Sequence, residues 1–142
     1  MSGPLTRPSP PRGEGDGVIE VVAAVIEREG RVLIARRHAG GHLAGLWEFP
    51  GGKRQAGETP EAALVREIRE ELDAAVTVGD LLDDVEWAYP EKTVRLLFFR
   101  CVLEEEPRAA EGQEIAWVEA GDLDRYEFPP ADAGLVARLR CR

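Results

Sequence analysis

Apolar residues recur along the chain in short runs that glycine, proline and charged residues interrupt. Several runs are rich in Val, Ile, Leu and aromatic residues and predict β-strands. The predicted strands span residues 18–27, 31–37, 81–90, 93–103 and 114–120. Gly30 separates the first two runs and predicts a tight turn that joins them as a hairpin.

The apolar pattern changes to a helical period after residue 59. Thr59 is a suitable N-cap, Pro60 suits the first helical position, and Glu61 favours the positive end of the helix. On a helical wheel the core stripe covers roughly a third of the circumference. The predicted stripe contains Leu64, Val65, Ile68 and Leu72.

A second helix is predicted over residues 129–140, where two prolines precede an apolar pattern. The order is therefore strands, one helix, more strands and a final helix. This order predicts an α+β or α/β sandwich with a mixed sheet.

Three carboxylates crowd one edge of the first predicted helix. Glu67 and Glu71 flank the core stripe, and Glu70 lies further round. Like charges at i, i+4 destabilise a helix by about 0.2–0.5 kcal/mol per pair. One interpretation is a solvated face of ion pairs. The other is a cation site, because Gly51-Gly52 offers a bare backbone carbonyl, and Mg²⁺ prefers carboxylate and carbonyl oxygens together with substrate phosphates.

Composition narrows the function classes. The chain has 142 residues, 44% hydrophobic and 32% charged, which fits one domain with a core. Its net charge of -9 argues against binding a nucleic-acid backbone, so an anionic substrate would need a cation as mediator.

Two cysteines fit no disulfide scaffold or metal motif and favour a cytoplasmic protein with reduced thiols. No run is long enough to span a membrane, and residues 1–17 predict a disordered tail.

The residues around the first helix resemble the Nudix box. Gly52, five residues, Glu58 and seven residues precede the run "REIREE" at 66–71. The Nudix pattern specifies glycine at position 73, where this chain has Asp73. Asp tolerates a left-handed conformation better than most residues. We therefore expect this departure to cost a little stability and to leave the chemistry unchanged.

The resemblance extends from Val18 to Leu139. The segments "RRHAGGHLAGLWEFPGGK", "PEKTVRLLFF", "EGQEIAWVEAGDL" and "FPPAD" are similar to those of MutT-type members. It implies a Nudix domain over residues 18–142, with a mixed sheet sandwiched between helices (α/β/α). It also implies hydrolysis of a nucleoside triphosphate to the monophosphate and pyrophosphate by a monomer or dimer that uses Mg²⁺ or Mn²⁺.

The same resemblance implies roles for individual residues. The metal ligands would be the carbonyl of Gly51 and the side chains of Glu67, Glu70, Glu71 and Glu111. The four glutamates and Arg66, which orients them, would be catalytic, with Glu111 a candidate base. The substrate-binding residues would be Arg37, His42, Glu48, Phe49, Pro50, Gly51, Tyr89 and Asp132. Gly52 and Glu58 would have structural roles in the motif.

Asp132 bears most on the choice of base. The family member best known for oxidised guanine carries an amide at this position, by the resemblance. An ionised carboxylate only accepts hydrogen bonds, whereas a protonated one also donates. Oxidised dGTP is the first expectation, CTP or a modified dCTP is the alternative, and a nucleotide-binding domain without catalysis is a third. The ordinary interpretation of Asp132 is a helix N-cap.

Several candidates also have ordinary interpretations. Arg37 can be a surface arginine, His42 a loop histidine and Glu111 a solvated glutamate. The tryptophans at 47, 87 and 117 are expected in the core rather than against a base.

Overall fold

A computed structural model describes residues 17–37 and 45–141. The predicted disordered tail, apart from Gly17, and the predicted substrate contact of His42 lie outside these residues. Within the described residues, no helix has the length and apolar character needed to cross a membrane.

The strands and helices follow the predicted order. They are β1 (Val18–Arg28), β2 (Arg31–Arg36), β3 (Trp47–Glu48), β4 (Gly51–Lys53), α1 (Pro60–Leu72), β5 (Val76–Tyr89), β6 (Lys92–Leu103), β7 (Ile115–Glu119) and α2 (Ala133–Arg140). Two 3-10 turns, Ala120–Arg125 and Pro130–Asp132, precede α2. The second predicted helix therefore begins later than expected, because its first turn after the prolines has 3-10 geometry.

The sheet is mixed, as predicted, and β1 is at its centre. β1 runs parallel to β6, with Val22 opposite Leu97, and antiparallel to β2 and β4. The main strand order is β3-β2-β1-β6-β5, while β4 pairs with β1 and β7 with β2. Glu29 and Gly30 form the predicted hairpin turn with φ of 54° and 79°, since two-residue turns between strands favour positive φ.

β5 begins earlier than predicted. It starts at Val76, and its pairing with β6 shifts register between Val78 and Asp83. Gly79 and Asp80 interrupt the apolar pattern at this irregularity, so the sequence pattern did not predict the first part of the strand. Trp87 on the same strand is 39% exposed, so its predicted place in the core is wrong. The reason is that β5 is the edge strand of the main strand order.

Two apolar clusters lie against the helices. One contains Leu64, Ile68 and Leu72 of α1, and the other contains Leu135 and Leu139 of α2. Each cluster also contains alternate residues of β1, since successive side chains of a strand point to opposite faces. The sheet is thus sandwiched between helices, which confirms the predicted α/β/α arrangement.

The orientation of α1 differs from the wheel in one respect. Val65 is 43% exposed, so its predicted place in the core stripe is wrong. Ala63 is fully buried and Glu71 is 9% exposed instead. The helix is therefore turned so that its Ala63–Glu71 edge faces the protein interior, and this rotation brings a carboxylate inside.

The N-terminus and C-terminus of α1 have the predicted caps. The hydroxyl of Thr59 accepts a hydrogen bond from the N–H of Ala62 at 3.1 Å. Asp73 ends the helix in the left-handed conformation, with φ of 51° and ψ of 44°. Its carboxylate accepts a hydrogen bond from Nε of Arg108 at 3.0 Å. The residue that departs from the Nudix pattern therefore adopts the backbone that the glycine would have, and it gains an ion pair.

Candidate active site

A cavity of about 220 Å³ opens beside the start of β4. Phe49 and Tyr89 line it together with Arg37, Glu48 and Asp132, and Gly51 and Gly52 also contribute. Pockets that enclose a whole drug-sized ligand usually measure about 300–1,000 Å³. This volume suits one part of such a ligand, with the remaining part outside.

Phe49 forms a rigid wall of the cavity. It is buried, and its ring stacks on Phe128 at a centroid distance of 5.3 Å. Phe98 contacts the same ring edge-on at 5.9 Å. Aromatic contacts of this kind add to the stabilisation from burial and restrict ring motion. Pro50 follows in the chain, but its carbonyl accepts a hydrogen bond from the N–H of Ala24, and its side chain is not part of the cavity wall.

Gly51 and Gly52 fit tightly between β1 and α1. A β-carbon built on Gly51 would lie 1.9 Å from the carbonyl oxygen of Val22. One built on Gly52 would lie 2.3 Å from Oε1 of Glu67. Real side chains do not approach so closely, so only glycine brings the β4 backbone against both the sheet and the carboxylate of Glu67.

Arg66 contacts the carboxylates of Glu58, Glu67 and Glu70. Its Nε donates to Oε2 of Glu58 at 2.7 Å and its Nη2 to Oε1 of the same carboxylate at 3.0 Å. Nη1 donates to Oε2 of Glu67 at 3.0 Å, and Nη2 also reaches the carbonyl of Lys53 at 3.1 Å. Hydrogen bonds from Arg66 lower the pKa of Glu58 to about 2. This fork fixes Glu67 relative to β4.

Glu48, Glu67, Glu71 and Glu111 form a group that we name the carboxylate cluster. Burial raises the pKa of Glu71 to about 9, and the charges of the other three contribute to this increase. Burial also raises the pKa values of Glu48 and Glu67, Glu111 contributes to both increases, and Glu70 contributes to that of Glu67. The side chains are therefore close enough to repel one another, although they come from β3, α1 and the loop before β7.

Glu70 is more exposed than the carboxylate cluster, although its charge also contributes to the raised pKa of Glu67. Its carboxylate is 52% exposed and has an ion pair with Arg66 at 3.4 Å. The wheel correctly placed it further round the helix than Glu67 and Glu71.

Asp132 lies against the cavity, within electrostatic reach of Arg37 and Glu48. It is 3% exposed, and burial raises its pKa to about 7, with a contribution from Glu48 in the same direction and an opposing effect of Arg37. Asp132 occupies the N-cap position of α2, but its side chain makes no cap hydrogen bond. Its side chain therefore does not act as the helix cap that the ordinary interpretation expects, and Asp132 lines the cavity instead. Arg37 in turn forms an ion pair with Glu48.

Two properties of the carboxylate cluster suit a divalent cation. Oε1 of Glu71 is buried and has no hydrogen-bond partner among the described residues. The mutual repulsion within the carboxylate cluster is the condition that a cation relieves. Within residues 17–37 and 45–141, no group of three or more His, Cys, Asp or Glu side chains has an arrangement that could hold a metal ion.

Sequence reasoning missed three residues beside the site. Lys53 and Lys92 line the cavity and place positive charge there. Lys53 directly follows Gly52, which is the signal that could have found it, whereas Lys92 begins β6, far from the motif, and has no such signal. The third residue, Gln113, is buried behind Glu111.

Comparisons with known proteins agree with this geometry. The family model described as NUDIX domain matches residues 21–138. An 8-oxo-dGTP diphosphatase of Haemophilus influenzae is 41% identical over 126 residues, which cover 86% of this chain and 91% of that protein. A CTP pyrophosphohydrolase of Escherichia coli strain K12 is 38% identical over 120 residues, which cover 84% and 89%.

Solved structures show the same fold. The crystal structure of a MutT NUDIX hydrolase from Burkholderia pseudomallei superposes with a TM-score of 0.77 at 28% identity. The match covers 84% of this chain and 96% of that chain. The chain belongs to the Nudix family. The predicted fold is confirmed, and so is the prediction of an enzyme that acts on pyrophosphate bonds.

Proposed function

We propose that this protein hydrolyses a nucleoside triphosphate to the monophosphate and pyrophosphate, with oxidised dGTP as the first candidate substrate. One observation carries the proposal. One cavity is lined by Asp132 and Phe49 and also by Gly51 and Gly52, and the carboxylate of Glu67 lies against Gly52. A base-binding wall and an acidic site for phosphates and cations therefore adjoin.

The residues that would hold the metal are the carbonyl of Gly51 and the carboxylates of Glu67, Glu70, Glu71 and Glu111. A bound Mg²⁺ or Mn²⁺ supplies neutralisation of the phosphate oxygens and a lower pKa for a water molecule. The exposed carboxylate of Glu111 is the candidate that accepts the proton of the attacking water. Attack of the water oxygen at the β-phosphorus breaks the bond to the oxygen that bridges the α- and β-phosphorus atoms, so the nucleoside monophosphate leaves and pyrophosphate forms.

Positive side chains would help to orient the anionic substrate. Lys53, Lys92 and Arg37 line the cavity and offer donors for phosphate oxygens. Arg66 keeps Glu67 in position through its two-pronged contact with Glu58. Positioning and electrostatic stabilisation account for most of the acceleration in phosphoryl transfer.

The choice between bases rests on Asp132. A protonated carboxyl can both donate and accept, as an amide does, and can therefore match the edge of an oxidised purine. An ionised carboxylate can accept from the amino group of cytosine instead, so CTP or a modified dCTP is the second candidate. The relatives named above include one protein of each kind. Either substrate belongs to the nucleotide pool, so we place the protein in the cytoplasm.

A substrate panel tests the proposal. We would measure kcat/KM with Mg²⁺ for 8-oxo-dGTP, dGTP, CTP, dCTP, 5-methyl-dCTP and ADP-ribose, and we would quantify pyrophosphate and phosphate separately. The expected result is release of pyrophosphate with 8-oxo-dGTP preferred. A preference for a cytosine nucleotide would keep the chemistry and move its biological role to pyrimidine pools. Absence of turnover for every triphosphate would overturn the proposed function.

A further inference from the structure

Gln113 is one of the few buried polar residues among those described, with Glu71 and Asp132. It is 8% exposed and does not line the cavity. Its Nε2 donates a hydrogen bond to the carbonyl oxygen of Glu71 at 2.9 Å. Its Oε1 accepts one from the main-chain N–H of Glu111 at 3.0 Å. One amide group therefore bridges the end of α1 and the loop before β7.

Main-chain hydrogen bonds also join the loop before β7 to the end of α1. The N–H of Arg108 donates to the carbonyl of Leu72 at 2.9 Å, and the N–H of Ala110 donates to that of Glu71 at 3.1 Å. The last carbonyls of a helix have no partner within the helix, so they are available to a neighbouring segment. Residues 108–113 thus attach to the C-terminal turn of the helix that carries Glu67, Glu70 and Glu71.

Gly112 allows the chain to turn so that the side chain of Gln113 reaches the end of α1. Its φ is 77°, and its N–H donates to the carbonyl of Ala109 at 3.2 Å. This left-handed residue reverses the chain between Glu111 and Gln113, and so lets the side chain of Gln113 reach back to the N–H of Glu111. Glu111 itself is exposed. Gln113 thus holds the backbone of Glu111, whose charge contributes to the raised pKa of Glu71.

We propose that Gln113 is a positioning residue that fixes the position of Glu111 relative to the carboxylates of α1. Only an amide of this length offers a donor to the Glu71 carbonyl and an acceptor to the Glu111 N–H at once. Loss of the amide removes one hydrogen bond from each of these main-chain groups. The catalytic meaning of this inference rests on the role of Glu111 in the proposed function.

A double-mutant cycle separates positioning from general stability. Gln113→Leu should lower kcat about tenfold or more and change KM little, as the loss of an orienting partner does. In the Glu111→Gln background the same change should cost less than about twofold, since Gln113 acts through Glu111. An equal loss in both backgrounds would overturn the proposal. Full turnover of Glu111→Gln alone would also overturn it, because no catalytic group would then be positioned.

Amide hydrogen exchange gives a second readout that needs no substrate. Exchange of the Glu111 amide should accelerate about tenfold or more in Gln113→Leu, while the Ala24 amide, bonded to the Pro50 carbonyl, should stay protected. If Gln113→Leu does not fold, Gln113→Asn provides the same comparison with a side chain too short to span both partners. Unchanged protection of Glu111 in a folded variant would overturn the inference. Inactivity of the wild-type protein would overturn the proposed function alone, since exchange still tests whether Gln113 holds Glu111.

Discussion

The α-carbon of Gly52 faces the carboxylate of Glu67 so closely that a β-carbon at position 52 would lie 2.3 Å from Oε1. The neighbouring Gly51 faces the main-chain carbonyl of Val22 instead. The two glycines therefore have different structural roles. Gly51 allows β4 to pair with β1, and Gly52 leaves space for the carboxylate of Glu67. A carboxylate at the end of a side chain can move, whereas a strand backbone cannot move without breaking the sheet.

Gly52→Ala should therefore impair catalysis more than folding. The methyl group would displace Glu67 from its position beside β4, and we expect kcat/KM to fall about 10–100-fold with a small change in Tm. Gly121→Ala is the matched control, because a β-carbon there meets no atom within 4 Å. Turnover equal to that of the control would show that the position of Glu67 does not matter.

Glu71→Gln should remove most turnover and still fold. It removes the charge of a proposed metal ligand at nearly constant size. Glu61→Gln, an exposed change in the first turn of the same helix, is the control. Near-normal turnover in folded Glu71→Gln protein would contradict the metal-site assignment.

The raised pKa of Glu71 predicts that the stability of the metal-free protein depends on pH. The pKa of Glu71 rises from 4.5 to about 9 on folding, so between these values the folded state binds the proton more tightly than the unfolded state. The free energy of unfolding should therefore fall as pH rises through this window. Thermal melts in a chelator should show this decline in the wild type and a weaker decline in Glu71→Gln. Parallel curves would contradict the assigned shift.

Asp132 should make the preference between bases depend on pH. Its pKa of about 7 predicts a carboxyl that donates below neutral pH and only accepts above it. We expect the ratio of kcat/KM for 8-oxo-dGTP to that for CTP to fall as the pH rises through about 7. A ratio removes effects of other groups that are common to both substrates. Asp132→Asn should flatten this dependence, and equal slowing of every nucleotide in that variant would instead indicate a structural role.

Asp73 predicts a ranking of stabilities. Its left-handed backbone disfavours side chains with a β-carbon, while its carboxylate gains partners in Arg108 and Arg69. Asp73→Ala keeps the backbone cost and loses both partners, so it should have a lower Tm than either wild type or Asp73→Gly. Turnover should stay the same in all three proteins. An alanine variant as stable as the wild type would show that the ion pairs contribute nothing.

Local sequence determined the elements that depend on short-range chemistry. Thr59, Pro60 and Asp73 mark the ends of α1, and the spacing from Gly52 to Glu71 predicted a cation site as one of two interpretations. Alternation of apolar residues located most strands, since period-two and helical patterns differ within a few residues. The start of β5 escaped prediction because Gly79 and Asp80 interrupt that alternation, although pairing with β6 holds them in the strand.

Tertiary packing decided what no local pattern contains. The rotation of α1 that buries Glu71 and exposes Val65 depends on how the helix seats against the sheet and β4. The approach of Glu48, Glu111 and Asp132 to one site depends on strand pairing and on the hydrogen bonds of residues 108–113. The carboxylates were predicted from the sequence, but the elevated pKa values of Glu48, Glu71 and Asp132 follow from burial and from the charges of neighbouring carboxylates. Sequence specified the groups, and three-dimensional proximity set their chemistry, because electrostatic coupling and desolvation act between residues far apart in the chain.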